Sequence, residues 1–596
     1  MRELLASLSL SALMAASAVS GAFAADTATA PAPTEAAQPE AASLRVLNDE
    51  DAARYREIFA LQEDGNWQAA DKLIGALSDD TLMGYVLFQR YMHPTKYRSS
   101  YDELKRWMAY YADLPQASDV YSLALKRRPK NSSPPVRPTP RKWRNGVEEY
   151  EIHPELEADY ATTSKPRLSQ IEGRVRYLCK KEQATAALKE IDQHLARRVI
   201  TERQYDRMRS WISASLYYQG YVETAERVAD EAAARNGDVA VLAHWIGGLV
   251  DFRNGNMGAA HDHFAAMAAN PHQEDSLRSA GAFWAARTAL ADGHVSDITP
   301  NLEIAANYPF TFYGQLALAQ LGRDYDYNWT PPTLTPTAFA RLVETQPRVK
   351  RAVALAEAGQ ESDADLELRW VNGSIEEKDL VDLLAVAAAL ELPAAEIDIA
   401  LSGTDKRLEA GLFPVPSYAP EGGFTADRAL LYALMRQESK FKVEATSRVG
   451  ARGLMQLMPK TASFMAKDRS LARASGRDRL YDPAYNISLG QTYVNHLIST
   501  AANGDLFDMA VAYNGGPGNL RRWKRDMDIA DPLLFIESIP NPESRDFVEK
   551  VLTNVWVYRA RLGQPAPSRD KVAAGELPLY EALDQLAGED DKLAEK

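Results

Sequence analysis

A glutamate at the end of an apolar helix face is the residue in this sequence best placed to do chemistry. Residues 427–439 (DRALLYALMRQES) predict a helix. With 3.6 residues per turn, Leu431, Leu434, Met435 and Glu438 share one face of it. Burial beside that face disfavours the charged carboxylate, and the carbonyl end of the helix adds a negative field, so both effects should raise the pKa of Glu438. Such a group suits proton donation near neutral pH, although a partly exposed surface glutamate fits the helix pattern equally well.

Ordered motifs begin at this glutamate and continue after it. Glu438 opens E-S-x-F, and the later motifs are S-x-x-G-A-x-G-L-M-Q-L-M-P from residue 447, N-I-x-L-G from residue 486 and A-Y-N-x-G-P-G from residue 512. In this order they resemble the lysozyme-like catalytic domain of the soluble lytic transglycosylases. Residues 539–548 (IPNPESRDFV) are similar to that family's I-P-x-x-E-T-R-x-Y-V, with Ser544 and Phe547 in place of the usual Thr and Tyr. Residues 312–317 and 413–416 resemble the end of the family's helical solenoid and its linker, so the resemblance spans most of the chain.

The resemblance implies that Glu438 is the single catalytic residue. It would protonate the oxygen between N-acetylmuramic acid and N-acetylglucosamine and then, as a carboxylate, take the proton of the muramyl C6 hydroxyl while that oxygen closes onto C1. The product would be a 1,6-anhydro end formed without hydrolysis, and no cofactor or metal is expected. Asp482, a further carboxylate inside a motif, precedes Pro483 and predicts a helix start. Two alternatives stay open: a hydrolase of goose-type lysozyme character, and a non-catalytic helical scaffold that only binds the wall.

Motif position and side-chain chemistry assign substrate binding to further residues: Ser447, Gln456, Met458, Tyr513, Asn514, Glu543 and Arg545. The serine would bond to the acetamido group or to Glu438, or would cap a turn. The glutamine and the methionine would line the sugar groove. Tyr513, the tyrosine of A-Y-N, would stack on a sugar, bond to Glu438 or fill the core. The glutamate and the arginine are candidates for contacting the stem peptide, or form an ordinary surface pair.

The region before the motifs predicts α-helices almost throughout, which makes the expected fold class all-α. A glycine followed five residues later by an alanine recurs there, as at Gly220 and Ala225 or Gly255 and Ala260. This pattern indicates a helix that ends in a left-handed turn before the next helix packs closely against it. The repeat length is similar to that of a tetratricopeptide unit. We therefore expect a curved solenoid of helix pairs over residues 47–410, and, after a cluster of Gly and Pro, a lysozyme-like domain over residues 411–565.

The two ends of the chain predict targeting and linker segments. Residues 1–24 resemble a cleavable export signal, with an apolar run after Arg2 and a small-x-small site at its end. Residues 25–46 are an Ala/Pro-rich tract that we expect to be a disordered linker, and residues 566–596 are an acidic tail. These features predict a periplasmic protein with no membrane-spanning segment once the signal is removed.

Charge and cysteine content narrow the partners and cofactors. The net charge of -14 disfavours nucleic acid, whereas residues 421–565 contain 20 Lys/Arg and 16 Asp/Glu. This local excess would suit peptidoglycan glycan strands, whose stem peptides are anionic, and other cell-wall enzymes are candidate partners. Cys179 is the only cysteine, which excludes intramolecular disulfides and cysteine-based metal clusters. His261 and His263 would point in different directions on a helix, which disfavours a metal site.

Overall fold

The regular structure of the protein is helical. A computed structural model describes residues 44–142, 165–271 and 273–584, and in these ranges only isolated β-bridges accompany the helices. The predicted all-α fold class is confirmed. The predicted signal peptide, most of the predicted linker and the end of the predicted tail lie outside the described residues. Within the described part, no helix is long and apolar enough to cross a membrane.

The N-terminal helices form a first group that ends at a proline-rich segment. They are α1 (Asp49–Glu63), α2 (Trp67–Ile74), α3 (Met83–Tyr91), α4 (Tyr101–Tyr111) and α5 (Ala117–Arg127). A capping box sets the start of α4: the Ser100 hydroxyl accepts a bond from the Glu103 N–H, and the Glu103 carboxylate accepts one from the Ser100 N–H. Residues 128–142 contain five prolines and form no helix.

A second group continues as consecutive helices that pack on their neighbours. They are α6 (Lys165–Lys180), α7 (Ala184–Ala196), α8 (Glu202–Tyr218), α9 (Val222–Asn236), α10 (Val241–Asn254), α11 (Met257–Ala269), α12 (Asp275–Asp292), α13 (Val295–Ala306) and α14 (Phe312–Gln320). Gly255 ends α10 with φ +83°, and the Asn256 N–H bonds back to the Asp251 carbonyl at 2.8 Å. Ala260 in the next helix is completely buried. The turn predicted from the Gly/Ala pattern is therefore confirmed.

A third group of helices returns to the first group. It contains α15 (Pro336–Thr345), α16 (Pro347–Glu357), α17 (Glu361–Asn372), α18 (Leu380–Ala389), α19 (Pro393–Ala400) and α20 (Glu409–Leu412). The Glu357 carboxylate accepts a bond from the Leu47 N–H at 3.0 Å. The Tyr85 hydroxyl donates to the buried Glu367 carboxylate at 2.7 Å. The beginning and the end of the predicted solenoid are therefore in direct contact.

The region of the motifs is built around one long, mostly buried helix. Its helices are α21 (Arg428–Ser439), α22 (Pro459–Met465), α23 (Pro483–Thr500), α24 (Leu506–Gly515), α25 (Pro517–Met527), α26 (Pro532–Ser538), α27 (Pro542–Arg561) and α28 (Pro567–Ala573), with 3-10 helices at Arg469–Ala472 and Arg477–Tyr481. The long helix is α27, and both α21 and α24 pack against it. As predicted, Asp482 begins a helix: its carboxylate accepts a bond from the Tyr485 N–H at 2.7 Å.

Residues 575–584, which we call the C-terminal strap, cover the start of α21. The fully buried Asp427 carboxylate accepts bonds from the Arg559 guanidinium at 2.6 Å and from the N–H groups of Leu583 and Asp584 at 3.0 and 2.9 Å. In return, the Asp584 carboxylate accepts a bond from the Arg428 N–H at 2.7 Å, at the positive end of the helix dipole. This part of the predicted acidic tail is thus packed against the region of the motifs.

Helix α14 joins the solenoid to the same region. The ring of Phe312 stacks on that of Trp556 in α27, with centroids 5.2 Å apart. The neighbouring Tyr313 hydroxyl donates to the buried Glu537 carboxylate in α26. Apolar and polar contacts together fix the motif region against the end of the second helix group.

Candidate active site

Glu438 lies in the last turn of α21, as predicted. Leu431, Leu434 and Met435 on the same face are buried, and the helix stops at Lys440, which has φ +49°. The Glu438 side chain is half-buried, and its pKa is raised to about 8. Burial is the main cause, and the negative charge of Glu543 is the second. The predicted rise and its first cause, burial, are confirmed, and the charge of Glu543 adds to the rise.

A short loop between residues 445 and 458 is connected to the surroundings of Glu438, because Tyr513 bonds to its Met455 carbonyl and feels the charge of Glu438. Gln456 adopts φ +45°, and its side-chain amide donates to the carbonyls of Ala445 at 3.0 Å and Gly453 at 2.9 Å. The Gln456 side chain therefore holds the loop closed on itself. Met458 at its end is 40% exposed, and its contact with a sugar stays a prediction.

Asn486 in α23 holds this loop in place, a role that the sequence pattern left unassigned. It is completely buried in α23. Its carbonyl oxygen accepts a bond from the Met455 N–H at 2.9 Å, and its amide donates to the carbonyls of Arg452 and Leu480 at 3.1 and 2.8 Å. The N-I-x-L-G motif was the available signal, because a buried Asn in an otherwise apolar motif must satisfy its amide within the protein.

Ser447 serves the backbone of the same loop. Its hydroxyl accepts a bond from the Ala451 N–H at 3.0 Å, and the two residues also bond through the Ser447 N–H and the Ala451 carbonyl. Of the roles weighed for this serine, the turn cap is the one observed, and a contact with the acetamido group stays a prediction.

Tyr513 joins α24 to the loop. Its hydroxyl donates to the Met455 carbonyl at 2.8 Å, so this bond replaces the alternative bond to Glu438. Its ring lies parallel to that of Phe547, with centroids 6.1 Å apart. Burial and the nearby charge of Glu438 raise the pKa of Tyr513 well above its usual value. Tyr513 is therefore a neutral side chain near the Glu438 carboxyl.

The two residues that depart from the family pattern retain packing and hydrogen bonding. The Ser544 hydroxyl donates to the Asn514 side-chain oxygen at 2.7 Å, so the serine supplies the hydroxyl that Thr would supply. Phe547 presents a ring to Tyr513 and needs no hydroxyl for that contact. These contacts fix Asn514 at the end of α24.

Glu543 and Arg545 do not act as a pair. Glu543 is exposed at the start of α27, close enough to Glu438 to raise its pKa. Arg545 instead lies 3.5 Å over the ring of Tyr218 in the solenoid and donates to the Ile539 carbonyl. The arginine is thus part of the contact between the solenoid and the motif region.

His261 and His263 form hydrogen bonds within the solenoid. His261 bonds to the Ala285 carbonyl at 3.0 Å, and His263 bonds to His244 at 3.1 Å. Among the described residues, no group of three or more His, Cys, Asp or Glu side chains could hold a metal ion.

Known proteins match the part of the chain that holds the site. Residues 419–534 match the family model of the transglycosylase SLT domain. We call this part of the chain the SLT domain after that match. The soluble lytic murein transglycosylase of Escherichia coli K12 is 39% identical over 132 residues, which cover 22% of this chain and 20% of that protein. The chain thus spans about a fifth of the length of the curated relatives it matches.

Solved structures are similar over more of the chain. The 70 kDa soluble lytic transglycosylase of E. coli superposes with a TM-score of 0.53 at 18% identity, over 87% of this chain and 98% of that one. An inactive mutant of the lytic transglycosylase Slt of Pseudomonas aeruginosa gives a TM-score of 0.53 at 20% identity, over 86% and 87%. At these identities the likeness shows the fold: a helical solenoid followed by the SLT domain.

Proposed function

We propose that this protein is a lytic transglycosylase that cleaves the bond between N-acetylmuramic acid and N-acetylglucosamine in peptidoglycan, and that it acts in the periplasm. The observation that carries the proposal is the half-buried Glu438 carboxyl, whose pKa is raised to about 8, beside the loop of an SLT domain. At neutral pH such a group holds a proton that it can donate.

The reaction needs one carboxyl group in two protonation states. Glu438 gives its proton to the glycosidic oxygen as the C1–O bond breaks, and the positive charge develops on the muramyl ring. The substrate's own acetamido group can stabilise that charge. The Glu438 carboxylate then takes the proton of the C6 hydroxyl while that oxygen bonds to C1, which restores the acid. Water is not consumed, so a second carboxylate to activate it is unnecessary.

We assign Gln456 and Met458 to lining the groove that holds the glycan, and Ser447 and Asn514 to polar contacts with it. Tyr513 supports the loop of Gln456 through the Met455 carbonyl. Because its hydroxyl is already bonded, we assign Tyr513 to positioning the loop. Glu543 keeps the proton on Glu438 through its charge.

Replacing Glu438 by glutamine tests the proposal. The full-length variant keeps the shape of the side chain but has no proton to transfer, so release of fragments from purified sacculi should fall at least about a hundredfold. Glu444→Gln changes an exposed carboxylate nearby and is the matched control. Mass spectrometry of the wild-type products should find 1,6-anhydro ends. Reducing ends would indicate a hydrolase, and no products would indicate a wall-binding scaffold.

A further inference from the structure

Positive charge is concentrated in one small part of the SLT domain. Residues 447–481, which we call the basic lobe, contain eight Arg and Lys and two Asp, a net charge of +6. The whole chain has a net charge of -14. The local excess noted for residues 421–565 therefore arises in this lobe.

The lobe is a folded unit in which most of the cations are unpaired. Helix α22 packs on the 3-10 helix Arg469–Ala472, which packs on the 3-10 helix Arg477–Tyr481. Both aspartates are already used: Asp468 pairs with Arg479 at 3.0 Å and Asp478 with Arg452 at 3.5 Å. The cations left over are exposed and form no ion pair within the described residues: Arg448, Lys460, Lys467, Arg469, Arg473 and Arg477.

A second basic stretch of the domain is different. In α25, Lys524 pairs with the buried Asp508, and Arg525 pairs with its neighbour Asp526. Half of the charge of that stretch is therefore neutralised within the protein. Unpaired like charges repel one another and destabilise the folded chain. An external anion bound to the basic lobe would relieve this repulsion.

The position of the lobe indicates which anion. Its first residues are Ser447 and Arg448, and its loop ends at Met458 and Pro459. The Met455 carbonyl in that loop accepts a bond from the Tyr513 hydroxyl, and the nearby charge of Glu438 raises the pKa of Tyr513, so the lobe is joined to the surroundings of Glu438. A polymer that extends from Glu438 across this loop would reach the cations of the lobe. Val449 and Phe464 are 78% and 70% exposed and add apolar surface that an anionic membrane could also contact. We favour the wall polymer because the lobe is joined to the surroundings of Glu438, where the glycan is expected to bind.

Building on the proposed function, we propose that the basic lobe binds the carboxylates of the peptides attached to the glycan strands of intact peptidoglycan. The glycan supplies the bond to be cleaved, and its peptides supply the negative charge. The lobe thereby increases the affinity for wall that still carries peptides, through contacts that are electrostatic and sensitive to salt.

The test measures binding of the full chain to three probes in the Glu438→Gln background, in which the polymer stays intact. The lobe variant carries Arg469→Gln, Arg473→Gln and Arg477→Gln, which are exposed and distant in sequence from the groove loop. The control variant carries Lys180→Gln, Lys181→Gln and Arg197→Gln, which remove the same charge from exposed positions in the solenoid. The probes are purified sacculi, the glycan strands that an amidase releases from sacculi by removing the peptides, and vesicles of phosphatidylglycerol and phosphatidylcholine.

At low salt the lobe variant should bind intact sacculi about tenfold more weakly than the control variant. The difference should be smaller on the free glycan strands, which keep only the lactyl carboxylate of each muramyl residue, and should vanish in about 0.5 M salt, where screening acts within a few ångströms. Equal binding by the two variants, or an equal difference on the free glycan strands, would overturn the proposal. Loss of vesicle binding alone would assign the lobe to a membrane. If the wild-type chain released no anhydro ends, the proposed function would fail while the binding result stood.

Discussion

Replacing Asp427 by alanine should loosen the start of α21 and release the C-terminal strap. The Asp427 side chain is completely buried, and that of its partner Arg559 is 4% exposed. Without the carboxylate, Arg559 becomes a buried cation with no counter-charge, and the N–H groups of Leu583 and Asp584 lose their acceptor. Breaking a buried ion pair in this way costs about 3 to 5 kcal/mol.

Hydrogen exchange measures this loss where it occurs. If opening of the strap limits exchange of its amides, about 3 kcal/mol corresponds to exchange faster by at least about a hundredfold in peptides that cover residues 575–584 and 428–432. Asp482→Ala is the matched control, because Asp482 also caps a helix but is exposed and has no buried partner. It should cost about 1 kcal/mol. Equal effects of the two substitutions would refute the reasoning, because the buried pair would then add nothing to a simple cap.

Two further predictions concern the site. The rate of glycan cleavage should fall as the pH rises through about 8, because the acid form of Glu438 is lost there. Glu543→Gln removes a charge that helps to raise the pKa of Glu438, so it should move this fall to lower pH. An unchanged pH profile would contradict the link between the two residues. Gly453→Ala should lower the thermal stability far more than Gly450→Ala, since a Cβ at Gly453 would collide with the Leu480 carbonyl and the Asn486 amide. A Cβ at Gly450 would meet open space, so that variant has only the cost of about 1 kcal/mol for its positive φ. Similar melting temperatures of the two variants would show that the loop adapts.

Local patterns in the sequence predicted the parts of the structure that depend on neighbours along the chain. The apolar face of α21, the cap at Asp482 and the turn at Gly255 each rest on residues within a few positions of one another, and each is observed. The raised pKa of Glu438 was predicted because burial follows from the same helix face.

Contacts between distant residues were not predictable in this way. Nothing near Asp427 in the sequence indicates Asp584 as its neighbour, and nothing near Arg545 indicates Tyr218. Tyr513 left three roles open because the partner of its hydroxyl, the Met455 carbonyl, is a backbone atom without a sequence signal. The sequence made Glu543 a candidate for contacting the stem peptide. Its effect on the pKa of Glu438 depends on the packing of α27 beside α21, which the sequence does not indicate.

Contact between the first and the third helix groups changes how the solenoid should come apart. An open array of repeats loses its end repeats first, because each end has a neighbour on one side only. Here the Glu367 carboxylate, completely buried, bonds to Arg348, Arg351 and Tyr85 at once, which ties α3 to α16 and α17. Among the described residues, the first helix group is therefore not a free end from which unravelling can start. A substitution that destabilises α3 should therefore also destabilise α17, more than 280 positions later in the chain, as if the two were adjacent repeats.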